Sequence, residues 1–174
     1  MDINAYAKKI YQQNVERGWW DDPGRCRLTV LQLVNTEIAE ATEGDRKDLY
    51  DDHLPHRKMA EVELADTLIR LLDLGGAEGL TYVKTAHSRR MEGYTSLPMA
   101  HFFLTFNTCL LGATLFDALE HQNRAYSQAV RDILYVAETE GYDLQGAIDE
   151  KLAYNQKRAD HNRENRAADG GKRY

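Results

Sequence analysis

Helical periodicity dominates this chain and limits it to one class of fold. Apolar residues recur at spacings of three and four through most of its length, while strand signals are weak. Only three prolines interrupt the chain, so long helices are permitted. A length of 174 residues suits one domain with its own core. We therefore expect a single all-α domain over 1–174, a bundle of about six helices with a polar C-terminal tail at 158–174.

Six segments carry the helical pattern, and glycines, prolines or charged loops separate them. The predicted helices are 3–16, 25–43, 57–74, a fourth that begins near 98, 125–140 and 144–158. Gly75 and Gly76 are predicted to end the third helix. The fourth helix is apolar around most of its circumference, and a monomer of this size can scarcely cover it, so we expect a homo-oligomer.

The charge balance excludes one class of function. The formal net charge is −6, whereas domains that bind duplex nucleic acid usually carry a basic surface. No apolar run reaches the roughly 18 residues that span a membrane. We therefore expect neither duplex nucleic acid nor a membrane as partner.

Cys26 and Cys109 match no metal-ligand or redox spacing and lie in apolar stretches, which predicts free core thiols in a reducing cytoplasm.

Two pairs of acidic residues are the most informative feature of the sequence. Glu37 and Glu40 lie three residues apart on the second predicted helix, and Glu63 and Asp66 lie three apart on the third. Residues at this spacing share a helix face and can reach one ion. One loop joins the two helices, so they can pack antiparallel with both pairs facing each other. Glu37 falls inside an apolar face, where an unpaired carboxylate is costly, and a divalent cation would offset that cost.

The donor chemistry of these acids indicates the kind of cation. Carboxylates without a nearby histidine or cysteine select a hard ion, with Mg²⁺ the default and Mn²⁺ a substitute. Mg²⁺ held by carboxylates usually handles phosphates. Two other interpretations stay open. A di-iron helical bundle also uses acids on neighbouring helices, although that class favours Glu-x-x-His pairs, and a non-catalytic interaction module would carry the acids as surface charges.

The acidic pattern resembles the signature of the MazG-like all-α nucleoside triphosphate pyrophosphohydrolases. That signature is E-x-x-E, a gap, and E-x-x-D. Here it reads TEIAE at 36–40 and, after 22 intervening residues, ELAD at 63–66. The string EVELADTLIRLLDLGGAEGL is similar to the family's third helix. NVERGWWDD (14–22) resembles the turn after the first helix in phage-type members, and KLAYNQKR (151–158) followed by GGKRY resembles their C-terminal phosphate-binding end.

The resemblance implies an activity and a set of site residues. The activity is metal-assisted hydrolysis of a (d)NTP to the (d)NMP and pyrophosphate. Glu37, Glu40, Glu63 and Asp66 would ligate one to three Mg²⁺ ions, and Glu40 would be the catalytic carboxylate that orients the attacking water. Family members often carry an acidic residue directly before the first glutamate of the signature, which is Glu37 here, whereas this chain has Thr36. The family also suggests a dimer of dimers and, for a phage-encoded chain, the host cytoplasm.

The C-terminal end is basic. Its last 24 residues carry seven Lys or Arg against three Asp or Glu. Lys151, Asn155 and Arg158 share one helix face, which suits a triphosphate, and Lys172 follows two glycines, where backbone can approach a phosphate closely. The resemblance favours a phosphate-binding role over a solvated basic tail, most clearly for the first three.

Trp20 and Asn14 are the candidates for a nucleoside pocket. Aromatic faces stack on any base, although tryptophan at such a turn is more often a core plug. The motifs do not specify the base or the sugar. A purine-directed enzyme of the MazZ (d)GTP pyrophosphatase type and a broad house-cleaning dNTP pyrophosphatase both agree with the pattern. We favour the first, because residues 81–140 depart from ordinary family members.

Overall fold

The structure, a computed structural model, describes residues 1–158 and 163–167. These residues form seven α-helices and one short 3-10 turn, and no β-strand is found among them. The helices are α1 (Ile3–Glu16), α2 (Arg27–Arg46), α3 (Met59–Glu78), α4 (Leu97–Thr114), α5 (Leu119–Glu140), α6 (Leu144–Lys157) and α7 (Arg163–Ala167), with the 3-10 turn at Arg89–Met91. The predicted all-α bundle of about six helices is confirmed, and α7 is an additional helix of five residues.

Helix α3 is the centre of the bundle. It packs against α1, α2, α5 and α6, and 14 of its 20 residues are buried. Gly44 near the end of α2 lies against Met59 at the start of α3, whereas the earlier Glu37 lies beside the later Arg70. Helices α2 and α3 are therefore antiparallel, and their acid-bearing faces meet.

Two glycines near the end of α3 do not end it, contrary to the prediction. Gly75 and Gly76 are helical, and α3 continues until Gly79, whose φ of 66° ends it. A Cβ atom at Gly76 would collide with the backbone of Ala7 in α1. One at Gly75 would collide with the ring of Tyr126 in α5. The two glycines therefore serve close helix packing rather than helix termination.

The segment between α3 and the 3-10 turn lies along α5 without regular secondary structure. The backbone N–H of Val83 donates to Ser127 Oγ (3.0 Å), and that of Ser88 donates to Asp132 Oδ1 (2.7 Å). Asp132 is fully buried and also accepts a hydrogen bond from Asn107 of α4 (2.7 Å). This one carboxylate ties the segment, α4 and α5 together.

Helix α4 leaves an apolar face exposed. It has no charged residue. Met99, Phe102, Phe106 and Leu110 recur at helical spacing on it and are 40, 66, 38 and 42% exposed, and Phe116 beyond the helix is 76% exposed. Together they expose on the order of 500 Å² of apolar surface, comparable to the largest apolar patch of a typical monomer, which is often functional. None of the helices in the described part of the chain combines the length and apolarity needed to cross a membrane.

Both cysteines are exposed, contrary to the prediction of core thiols. Cys26 precedes the first residue of α2, and Cys109 lies on the solvent side of α4. Neighbours along a helix point about 100° apart, so an apolar stretch of sequence does not tell which of its members faces the core.

We expect a second copy of the chain to cover the exposed face of α4. Two copies of this face, in which the guanidinium groups of Arg90 and Arg27 lie over the rings of Phe106 and Phe116, can meet in an isologous dimer. Phe102→Glu places a charge at the centre of that face and should weaken self-association at least about tenfold. Light scattering during size-exclusion chromatography measures the assembly mass. Val83→Glu, at a 63% exposed position outside α4, should leave the mass unchanged. Equal masses for all three proteins would contradict the expectation.

Candidate metal centre and adjoining cavity

Three carboxylates from α2 and α3 converge inside the bundle. Glu37, Glu63 and Asp66, called here the acid cluster, each offer one oxygen, and these oxygens lie within 4.8 Å of one another. Glu37 lies on the buried face of α2 between Val34 and Ile38, and it exposes only 6% of its surface, as does Glu63. Since residues three apart share a helix face, the antiparallel pairing brings three of the four predicted acids together.

Two basic side chains balance part of the charge of the acid cluster. Arg70 Nε lies 2.6 Å from a carboxylate oxygen of Glu37. Lys151 Nζ, from α6, lies 2.9 Å from an oxygen of Asp66, and this lysine exposes only 4% of its surface. Glu63 has no ion pair with a basic side chain in the described part of the chain, and it shares a hydrogen bond with Glu37. The compensation of charge is therefore weakest at Glu63.

The ionised acid cluster costs stability in the absence of a cation. Burial, followed by the negative charge of Asp66, raises the pKa of Glu63 well above its ordinary value. Burial raises the pKa of Asp66 to about 6, although Lys151 opposes this shift. Both carboxyls thus bind a proton more tightly in the folded chain than in the unfolded one. An all-oxygen set of this size fits a hard divalent cation, which would remove the cost.

Glu40, the fourth predicted ligand and the predicted catalytic carboxylate, lies at the rim of the acid cluster. Its side chain is exposed, and its oxygens are not among the three that converge. Partial burial and the negative charge of Glu37 raise its pKa, while the nearby Arg70 and Lys151 lower it. A carboxylate at the solvent side of a candidate cation site is placed to contact a water molecule.

A cavity of about 400 Å³ opens beside the acid cluster, within the size range of small-molecule sites. It lies between α1, the α1–α2 turn, α2, α3 and α6. Its lining comprises apolar Ile10, Leu33, Ile69 and Leu152, basic Arg17, Arg25, Arg70 and Arg158, and also Asn14, Trp19, Asp66, Asp73 and Asn155. Four arginines thus gather in one cavity of an acidic chain, next to the carboxylate of Asp66.

The predicted phosphate-binding residues divide into three groups. Asn155 and Arg158 line the cavity, and the side-chain oxygen of Asn155 is buried with no hydrogen-bond partner among the described residues. Such an acceptor gains most from a donor that a ligand brings. Lys151 is not a lining residue, because it is buried in its ion pair with Asp66. Lys172 lies outside the described residues.

The two predicted nucleoside contacts have different positions. Asn14 lines the cavity, but Trp20 does not, and its neighbour Trp19 does. The ring of Trp20 packs edge-on against Tyr11, with 5.8 Å between ring centroids. Its indole N–H donates to Asp73 Oδ1 at 3.0 Å. Trp20 is therefore a packing residue that holds a cavity carboxylate, rather than a wall of the cavity.

Several residues of the cavity were not predicted as site residues. Arg70 and Asp73 follow Asp66 by four and seven positions, so they share its helix face, and that spacing was the available signal. Arg17 and Arg25 come from the turn between α1 and α2. No spacing in the sequence relates that turn to α3, because only the packing of α1 on α3 brings it there.

Comparison of the chain with protein-family models, with curated proteins and with solved structures finds no match. The resemblance to MazG-like enzymes therefore stays a prediction from the sequence motifs. The function has to be argued from the acid cluster and the cavity.

We expect Glu63→Gln to stabilise the metal-free protein and to weaken its affinity for Mn²⁺. Because the folded pKa of Glu63 is raised, its contribution to stability is full below its unfolded pKa and is lost as pH rises through the folded value. Glutamine mimics the protonated carboxyl, so the variant's melting temperature should exceed that of the wild type at pH 7.5 and match it near pH 4.

Thermal unfolding with and without Mn²⁺ measures both effects. Glu138→Gln is the matched control, because this glutamate is 63% exposed and pairs with Arg131 on the surface. A structural role for Glu63 predicts the opposite result, namely a lower melting temperature at pH 7.5.

Proposed function

We propose that the protein is a Mg²⁺-dependent nucleoside triphosphate pyrophosphohydrolase, for which Mn²⁺ is a substitute cation. The observation that carries this proposal is the position of the acid cluster next to a cavity with four arginines. Asp66 belongs to both, so a ligand in the cavity would lie directly beside a candidate cation site. A polyphosphate chain is the ligand whose charge suits both the arginines and a carboxylate-bound cation.

The arginines support the binding of the triphosphate. Arg17 and Arg25 approach from the α1–α2 turn, and Arg158 approaches from the end of α6. Arg25 already donates a hydrogen bond to the backbone oxygen of Trp19 (2.5 Å). Arg25 also stacks over the ring of Trp20 at 4.3 Å, the residue that donates to Asp73, so Arg25 lies toward Asp73. Arg17 and Arg158 are therefore the candidates that bind the phosphate chain.

The proposed reaction is (d)NTP + H₂O → (d)NMP + pyrophosphate. It breaks the anhydride linkage between the α- and β-phosphates, and the oxygen of the water forms the new bond to phosphorus. Glu37, Glu63 and Asp66 would hold the cations, which would supply positive charge that neutralises the phosphates. Glu40 orients the water and accepts the proton that it loses. Arg158 binds the phosphate chain in the ground state and in the transition state alike.

We favour dGTP or GTP as the substrate, and a broad house-cleaning dNTP pyrophosphatase is the alternative. The apolar wall that includes Ile10 and Ile69 suits a flat base, while Asn14 and Asp73 place polar groups beside it. A wall with polar groups can select among bases, which supports a selective enzyme. Turnover of each common NTP and dNTP distinguishes the two alternatives. The substrate pool would be that of the cytoplasm, or of the host cytoplasm for a phage-encoded chain.

A non-catalytic interaction module is the second candidate, and the exposed face of α4 is the observation that favours it. This face contains none of the acid cluster or cavity residues. Self-association through α4, up to the dimer of dimers suggested by the family, is therefore compatible with catalysis. A di-iron site is less well supported, because the acid cluster contains no histidine.

Glu37→Gln and Asp66→Asn should each abolish turnover while the protein stays helical. Changes to groups that only support a metal ligand cost 10–100-fold, so loss of a ligand should lower kcat by at least about 100-fold. Pyrophosphate release from an NTP mixture with Mg²⁺, with and without chelator, measures activity, and circular dichroism measures helicity.

Glu43→Gln is the matched control for these two variants. Glu43 lies one turn beyond Glu40 on α2, but it forms surface ion pairs with Arg46 (2.7 Å) and Lys47. This variant should retain wild-type turnover. Full activity of either cluster variant, or wild-type activity in chelator, would refute the metal site.

Arg158→Ala should weaken binding of the triphosphate more than it slows the reaction. Loss of a charge-assisted hydrogen bond predicts a KM higher by about tenfold or more, with a smaller effect on kcat. Steady-state kinetics separate the two parameters. Lys157→Ala removes an exposed charge from the adjacent residue, which is not a lining residue of the cavity, and should leave KM unchanged. The same KM for both variants would remove Arg158 from the phosphate site.

A further inference from the structure

Asp73 is a second carboxylate in the lining of the cavity, and it does not belong to the acid cluster. It lies on α3 two turns after Asp66, so about 10 Å of helix axis separates the two residues. Asp73 exposes only 6% of its surface, yet it lines the same cavity as Asp66. A ligand that places phosphates at Asp66 would thus extend its other end toward Asp73.

Neutral donors hold the Asp73 carboxylate in place. The indole N–H of Trp20 donates to Oδ1 at 3.0 Å, and the side chain of Asn14 is a second donor near the carboxylate, where it lowers the pKa of Asp73. The positive charges of Arg25 and Arg70 also act on Asp73 and lower its pKa, although the salt bridge of Arg70 among the described residues is with Glu37. Burial raises its pKa to about 6, so the group is ionised at pH 7.5. An ionised carboxylate has about four acceptor positions, and these two donors leave part of that capacity for a ligand.

The chemistry of the bases determines which one suits a fixed carboxylate. Guanine presents two adjacent donors on one edge, the ring N1–H and the 2-amino group, and a carboxylate accepts both. Adenine and cytosine place a ring acceptor next to their amino group, and uracil and thymine place carbonyl oxygens on both sides of their N–H. Each of those edges would set an acceptor against Asp73 or leave one of its oxygens without a donor, which is unfavourable in a buried site.

We propose that Asp73 is the specificity-determining residue that accepts the N1–H and 2-amino hydrogen bonds of a guanine base, with Trp20 and Asn14 as the residues that position it. This inference rests on the proposed function for the placement of the nucleotide, with the phosphates at Asp66 and the base toward Asp73. It gives a physical reason for a guanine preference, and it assigns Trp20 a role other than base stacking.

Asp73→Asn is the decisive variant, because asparagine keeps the shape of the side chain but offers one acceptor and one donor. That pair matches the N1–H and the 2-carbonyl of xanthine instead of the two donors of guanine. Calorimetric binding of guanosine, inosine and xanthosine monophosphates tests the inference without any need for turnover. The wild type should bind guanosine monophosphate at least about tenfold more tightly than inosine monophosphate, which lacks the 2-amino group. The variant should shift the ratio of guanosine to xanthosine affinity by about 100-fold toward xanthosine.

Two further variants separate base recognition from a structural role. Trp20→Phe keeps an aromatic ring at this position but removes the N–H that donates to Asp73. It should reduce the discrimination between guanosine and inosine without reversing it. Asp52→Asn, at an exposed position in the α2–α3 loop, should change neither ratio.

The outcomes distinguish this inference from the proposed function. Equal wild-type affinity for the guanosine and inosine ligands, an unshifted ratio in Asp73→Asn, or no binding at all would overturn the role of Asp73. The comparison of guanosine and inosine monophosphates on the wild-type protein needs no variant. It therefore tests the role of Asp73 even where Asp73→Asn fails to fold. Pyrophosphate release from triphosphates by the same wild-type protein would still support the hydrolase, and its absence would count against the hydrolase alone.

Discussion

The packing of the acid-bearing faces of α2 and α3 against each other is the interaction on which the rest of the structure depends. It buries Glu37 and Glu63 next to Asp66, although like charges in a low-dielectric interior repel strongly. Arg70 and Lys151 offset part of this cost through short ion pairs. The offset is incomplete, because the pKa values of Glu63 and Asp66 stay raised. A core arranged in this way gains from positive charge supplied by a bound cation.

The same helix that carries the acid cluster also organises the cavity. Helix α3 presents Asp66, Arg70 and Asp73 along one face, and the cavity follows that face. Because α3 is packed on most sides, its side chains are held on a rigid element. The α1–α2 turn and the end of α6 close the remaining sides with Arg17 and Arg158. Helix α3 thus sets the distance between the Asp66 end and the Asp73 end of the cavity.

Two differences between prediction and structure have the same physical origin. Gly75 and Gly76 carry a helix-stop signal, but the close approach of α1 and α5 overrides it. Trp20 is predicted to stack on a base, but it packs against Tyr11 and donates a hydrogen bond to Asp73 instead of lining the cavity. In both cases the prediction from the local pattern is wrong, because long-range packing decides what the residue does.

The sequence alone determined the helical class, the two acid pairs and the shared face of Asn155 and Arg158, because 3.6 residues per turn relate residues within one helix whatever surrounds it. Only the tertiary structure decided that Glu40 stays at the rim while three carboxylates converge. It alone brought Arg17 and Asp73 into one cavity. Distances between helices depend on how side chains from distant parts of the chain pack, and no spacing within a helix encodes them.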